Sequence, residues 1–403
     1  MKNIIFKDNI SKSYIHKKKF NKTILKSTNN LNSIYKRIDY QKDIFYSLSR
    51  KFKLNFTNKE LKKYNRFKTV AILGIGGSVL GAKAIYTFLK QKKIKKFIFF
   101  DNLDENKIND FIKSKKASKT LFIIISKSGN TLETIVNVNS FPQKIFTPSN
   151  TIIITEKKNS ALNSLITNLN VKGIVHKNYI GGRYSVLSEV GMVPAHFMGL
   201  KIKNFRNNLL SIFKGSKKKM LLRNVAQLFQ IYSSKKIKSI VFLNYSPELN
   251  DFLYWLQQLI SESLGKNGKG LMPSISQAPK DHHSLLQLYL DGPRDKLFYV
   301  FSSSNLTKLK IKNNLFGKKY NFLKKKRVSK VILSQKKSFI NTLKKKDISY
   351  REFHINKISE ESIGELFSYF MVETALLGKV INVNPFDQPA VESVKKLTIK
   401  YLN

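Results

Sequence analysis

The run Thr120-Leu-Phe-Ile-Ile-Ile125 is apolar without a break and rich in β-branched residues. Only a strand covered on both faces suits such a run, so the chain must hold a parallel sheet with helices on either side. Ser126-Lys-Ser-Gly-Asn-Thr131 follows at once, and then Leu132, Ile135, Val136 and Val138 fall at helical spacing, with Glu133 in the first turn. The stretch therefore reads as strand, hydroxyl-rich turn and helix start. Free N–H groups at a helix start favour an anion, and Ser126, Ser128 and Thr131 can donate to its oxygens. A single N-cap hydroxyl with a glycine turn explains one of these residues. It does not explain three hydroxyls within six positions. A phosphate on a small molecule fits them better, with Lys127 the only basic side chain in the turn.

The rest of the chain supports that frame. Val70–Leu73, Phe97–Phe100 and Thr151–Thr155 read as further strands, alternating with helices over Val79–Leu89 and 161–168. A second set begins after a polar, basic stretch at 204–222. It consists of strands at 239–243, 297–301, 328–333 and 349–354 and helices at 248–264, 339–344 and 360–377. The expected organisation is a helical N-terminal arm (1–65), a first α/β domain (66–205), a second α/β domain (220–383) and a C-terminal segment with a last helix (384–403). With 403 residues, two domains are affordable.

Composition excludes several classes. There is no cysteine, and the six histidines show no metal-ligand spacing, so a disulfide framework and thiolate metal sites are ruled out. No run reaches transmembrane length and no leader is visible, so a soluble, cytoplasmic protein is expected. The net charge of +49 is nearly all lysine and runs from one end of the chain to the other. That is a solvated surface rather than a nucleic-acid interface: weak polyanion binding is expected, specific nucleic-acid binding is not.

Gly74-Ile-Gly-Gly-Ser78 is a second strand-to-helix turn, carrying Gly77 and Ser78. It lacks the third glycine of the dinucleotide fingerprint and the Gly-Lys-Ser/Thr ending of a P-loop. Two such turns at neighbouring strand ends point to a small phosphate ester. The acid–base candidates are Glu, His and Lys.

Taken together the motifs resemble the glucose-6-phosphate isomerase family. The residues that carry the likeness are Gly74–Ser78, Ser126–Thr131 with Glu133-Thr134, and Gly181-Gly-Arg-Tyr-Ser185. They continue with Glu262-Ser-Leu-Gly-Lys266, His283 with Gln287-Leu-Tyr-Leu-Asp-Gly292, and Asn384-Pro-Phe-Asp-Gln388 with Glu392 and Lys395. The resemblance implies two sugar-isomerase domains with mostly parallel, flavodoxin-like sheets, and a homodimer. It implies interconversion of D-glucose 6-phosphate and D-fructose 6-phosphate without metal or organic cofactor. By matching position, Ser78, Ser126, Ser128 and Thr131 hold the phosphate, with Lys127 contributing mainly through its backbone, and Gly77 belongs to the substrate-binding set. Glu262 matches the base, and Gly182 and Arg183 the site that stabilises the intermediate. His283, shared across the dimer, and Lys395 match the ring-opening pair. Gln258 and Gln388 match sugar contacts, and Glu133 a partner that orients the histidine. Leu264 and Pro389-Ala390 depart from the family pattern, where Asn and Gly are usual. A dual glucose/mannose phosphate isomerase and a non-enzymatic sugar-phosphate regulator are the alternatives. The regulator needs no acid–base set.

Overall fold

The computed structural model describes residues 3–90, 95–114, 116–304 and 309–402. Two five-stranded sheets organise it. The first takes β2 (Thr69–Leu73), β3 (Lys96–Phe100), β4 (Thr120–Ile125), β5 (Thr151–Thr155) and β6 (Lys172–Val175), following β1 (Ile4–Asn9), which lies elsewhere. All five strands run parallel, in the order β3-β2-β4-β5-β6. Every residue of β4 is buried, as the apolar run requires of a central strand. At about 1.5–3 kcal/mol per large side chain, its Leu, Phe and three Ile pin this sheet's centre.

The order reverses between β2 and β4, the position at which an open parallel sheet leaves a crevice beyond its carboxyl ends. The two turns singled out in the sequence lie there. Gly74–Ser78 leaves β2 and Ser126–Thr131 leaves β4.

The second sheet holds β7 (Ser239–Asn244), β8 (Met272–Gln277), β9 (Lys296–Ser303) and β10 (Tyr350–Ile355) in the order β1-β10-β9-β7-β8. Its four later strands are parallel, and β1 closes the edge antiparallel to β10, from Ile4 opposite Ile355 to Asn9 opposite Tyr350. The N-terminal arm expected to be helical thus opens with a strand, followed by the helix Lys17–Arg37.

Helices between the sheets join them in one core. Residues of β2 and β4 on one side and of β7, β9 and β10 on the other belong to a single buried apolar cluster. The helix Glu360–Val380 runs through it with 19 of its residues buried, which explains its apolar character on all sides. The interval 204–222 is built into the same core, through Phe205, Leu209, Ile212, Phe213 and Leu221.

One further expectation is corrected. The strand read at 328–333 forms the first turns of an 18-residue helix, Val328–Lys345. Its β-branched residues suggest a strand, but only Ser329, Phe339, Ile340 and Leu343 are buried, the spacing of a surface helix. The strand β8 was not foreseen, because Met272-Pro-Ser-Ile-Ser-Gln277 is polar and contains a proline. It lies at the sheet edge, where a missing N–H costs no ladder bond.

Candidate active site

The turn after β4 folds its three hydroxyls inward. Ser126 Oγ and Thr131 Oγ1 are 2.8 Å apart, Ser128 Oγ lies 3.3 Å from Thr131 Oγ1, and Ser126 Oγ accepts from the Gly129 N–H at 3.2 Å. Thr131 stands at the N-cap of the helix Leu132–Asn139 yet makes no side-chain capping bond. The simple capping explanation therefore fails, and three hydroxyls converge beside a helix start. Gly129 is required, since its φ is +69° and a Cβ would meet Ser160 Oγ at 2.3 Å. Asn130 Oδ1 accepts from the Ala161 N–H at 2.8 Å, which ties the turn to the start of the helix Ala161–Leu169 beyond β5. Lys127 turns its ammonium toward Glu156 at 3.5 Å, leaving its backbone on the turn. Glu133 is half-buried in the first helical turn.

The turn after β2 sits against this cradle, and a Cβ on Gly74 would meet the carbonyl of Ile125 at 2.7 Å. Beyond it the 3-10 turn Gly76–Ser78 touches two other parts of the chain. A Cβ on Gly77 would lie 2.3–2.7 Å from the backbone of Gly182 and Arg183, and one on Gly76 would lie 3.0 Å from Gln258 Nε2. Ser78 is half-buried on this turn. The glycines here let the ends of β2 and β4, the Gly182–Arg183 turn and the helix that carries Gln258 come together.

Arg183 is buried in the 3-10 turn Gly182–Leu187, and all three of its nitrogens are engaged. Nε donates to Ser263 Oγ (2.8 Å), Nη1 to Glu262 Oε2 (3.0 Å) and Gln388 Oε1 (2.8 Å), and Nη2 to the carbonyls of Pro385 (2.8 Å) and Asp387 (3.0 Å). Upstream, His176 and Lys177 flank the buried Glu189. Burial alone would raise this carboxyl, but the nearby His176 ring and the hydrogen-bonded ammonium of Lys177 outweigh it and hold the group below its usual 4.5. Lys177 Nζ lies 2.7 Å from Glu189 Oε1, which anchors the approach to Gly182.

Glu262 comes from the helix Asn250–Leu264. Phe252, Trp255, Leu256, Leu259 and Ile260 bury one side of that helix, which presents Gln258 and Glu262, four residues apart, on another. Gln258 Nε2 donates to Glu262 Oε1 at 2.9 Å, so each carboxylate oxygen has one donor. The side chain stays 30 % exposed, and a carboxylate has lone pairs left for a further proton. Trp255 Nε1 donates to the Arg183 carbonyl at 3.1 Å, locking the helix to the arginine turn.

One unit thus gathers the Ser126–Thr131 cradle, Gly77, Ser78, Gly182, Arg183, Gln258, Glu262 and Gln388. Its supports were not foreseen: Ser263, Lys266 and Asp387. Lys266 Nζ pairs with Asp387 at 3.1 Å and also donates to the Asn384 carbonyl, holding the loop that faces Arg183. Their only sequence signal was adjacency to Glu262 and to the Asn384-Pro-Phe-Asp-Gln388 break.

Two residues lie apart from this unit. His283 ends the 3-10 turn Lys280–His283 after β8 and is exposed. Its neighbour His282 turns inward, 2.8 Å from Tyr245 Oη, and burial holds its pKa below the ordinary value, with the nearby His283 adding to the effect. Lys395 stands on the terminal helix Pro389–Leu402, which buries no residue, and pairs with Glu392 at 2.8 Å. Among the described residues neither side chain hydrogen-bonds to the Arg183–Glu262 unit.

Chemically, the unit offers donors for a dianion at one end and a reachable carboxylate beside a fixed guanidinium at the other. No helix among the described residues is long and apolar enough to cross a membrane.

The phosphoglucose isomerase family model matches residues 33–279. A probable glucose-6-phosphate isomerase of Methanococcus maripaludis is 34% identical over 364 residues, covering 84% of this chain and 80% of that protein. The glucose-6-phosphate isomerase of Methanocaldococcus jannaschii is 31% identical over 354 residues, or 83% and 84% of the two chains. The solved structure of a hypothetical protein from Thermus thermophilus superposes with a TM-score of 0.81 at 23% identity, over 99% of this chain and 100% of that one. A glucose-6-phosphate isomerase structure from Chlamydia trachomatis gives 0.78 at 18%, over 100% and 89%. Both share the fold.

Proposed function

The chain belongs to the phosphoglucose isomerase family, and from that premise we propose that it interconverts D-glucose 6-phosphate and D-fructose 6-phosphate with Glu262 as the base. The observation that carries the assignment is the contact between Glu262 Oε2 and the buried Arg183, in one unit with the hydroxyl cradle.

The cradle takes the phosphate, far from the reacting carbons, and so fixes orientation. His283 and Lys395 serve ring opening, moving a proton from the C1 hydroxyl to the ring oxygen. In the open-chain aldose, Glu262 removes the C2 proton while the C1 oxygen gains one, giving an enediol. Returning the carried proton to C1 and releasing one from the C2 hydroxyl leaves the ketose. Negative charge on the enediolate oxygens falls near Arg183, whose guanidinium is held from five sides and needs no reorganisation. Gln258 and Gln388 flank the sugar, and Glu133 orients the histidine. A coupled assay of fructose 6-phosphate to glucose 6-phosphate conversion tests the reaction. Solvent deuterium at C2 of the product tests the proton transfer.

Replacing Ser126, Ser128 and Thr131 together by Ala is expected to raise KM at least tenfold, with a smaller change in kcat. The phosphate does not change during the reaction, so its donors stabilise ground and transition states alike. An unchanged KM would place the cradle elsewhere.

The exposed position of His283 fits a role at a partner's site rather than its own. In a homodimer of that kind, Glu262→Gln and His283→Ala complement each other. Each parent dimer lacks one group at every site, whereas a mixed dimer has one complete site and one lacking both. Co-expression followed by isolation of the mixed dimer should restore about half the wild-type activity per dimer under two-fold symmetry. Activity no higher than that of the parents would keep the histidine within its own chain.

A further inference from the structure

The first sheet has a second cleft at the end opposite the catalytic turns. It measures about 1060 Å3 and lies where β2, β4 and β5 begin, lined by Arg66, Lys68, Lys116, Lys119 and Lys144 and by no Asp or Glu. Among the described residues none of these five cations is paired with a carboxylate. Arg66 donates to the Ser149 carbonyl at 3.3 Å and lies 5.0 Å from the centre of the Phe67 ring. Hydroxyls of Ser118, Thr147 and Ser149 complete the wall.

A protein with 74 basic and 25 acidic side chains shows lysines on many surfaces. A concave site is different, because cations of one sign around a low-dielectric wall repel each other and focus the field inside. A multiply charged anion relieves that repulsion, and the hydroxyls of Ser118 and Ser149 can donate to its oxygens. We propose that this cleft binds the triphosphate group of a small polyphosphorylated ligand. A single phosphate would leave most of the cations unmatched. The six residues of β4 separate the cleft from Ser126 by about 20 Å, so both ends can be filled at once.

Titration calorimetry of the full chain with sodium tripolyphosphate, at 0.15 M NaCl, tests the site. One saturable event per chain is expected, and it persists when fructose 6-phosphate is saturating. The triple variant Lys116→Gln, Lys119→Gln, Lys144→Gln should weaken it at least tenfold and leave isomerisation unchanged. An equal loss of charge at Lys324→Gln, Lys325→Gln, Lys326→Gln should not weaken it. ATP and AMP separate the sources of the anion. ATP matching tripolyphosphate assigns recognition to the triphosphate alone, and ATP binding tenfold tighter adds a contact with the base. AMP binding as tightly as ATP would overturn the proposal. So would an absence of saturable binding, equal weakening by the two triple variants, or displacement by the sugar phosphate.

Discussion

Glu262→Gln should fold as the parent does, bind fructose 6-phosphate with a similar KM, and lose kcat by at least about 10²–10⁴-fold, the range for a general base. The amide is nearly isosteric, and its oxygen can still accept from Arg183 Nη1 or from Gln258 Nε2. It cannot take up a proton. Because the side chain is 30 % exposed, the swap disturbs no tightly buried packing. Thermal unfolding within a few degrees of the parent would separate lost chemistry from lost structure. Wild-type incorporation of solvent deuterium at C2 would remove Glu262 from the role of base.

Arg183→Lys should cost both stability and rate. The guanidinium spans five acceptors in a plane, two of them the carbonyls of Pro385 and Asp387. An ammonium offers three donors from one point and cannot reach the same set. Some acceptors are then buried without partners, each at about 1–3 kcal/mol. A clear drop in Tm is expected, with kcat falling at least about 10²-fold because the positive charge near the enediolate is no longer fixed in place. A variant with parental Tm and kcat would show that the arginine neither holds the loop nor serves the reaction. Because Gln388 and the Pro385–Asp387 carbonyls share this one side chain, the 384–388 loop should also become protease-sensitive.

The first sheet was largely legible because its signals are local. An unbroken apolar strand, a glycine turn and a hydroxyl turn each announce themselves within about ten residues, and the switch point follows from strand order. Arg183, Gln258, Glu262 and Gln388 were found only as parts of longer motifs. Nothing in a lone Gln388 says that it meets an arginine 205 positions earlier. The misreadings have two causes. The 328–333 segment carries β-branched residues that a surface helix tolerates when its buried positions fall three or four apart. Edge strands β1 and β8 bury too few residues to show an alternating pattern, and β8 includes Pro273. His283 and Lys395 were named by resemblance, and a single chain leaves both on its surface.

The pairing of β1 with β10 has a consequence for synthesis. Residues 4–9 leave the ribosome long before their partners at 350–355. All five strands of the other sheet are complete by residue 175, so that half can collapse while the second still lacks four of its five strands. Throughout that interval the Ile4–Asn9 segment has no ladder to join, and its backbone donors and acceptors stay with water or with a holding factor. Closing so long a loop is entropically costly and slow. The edge it finally seals would otherwise be open for another strand to pair with. A late step of maturation is then the docking of the Ile4–Asn9 segment on β10, and an insertion close to that segment would interfere with assembly of the half farther along the chain.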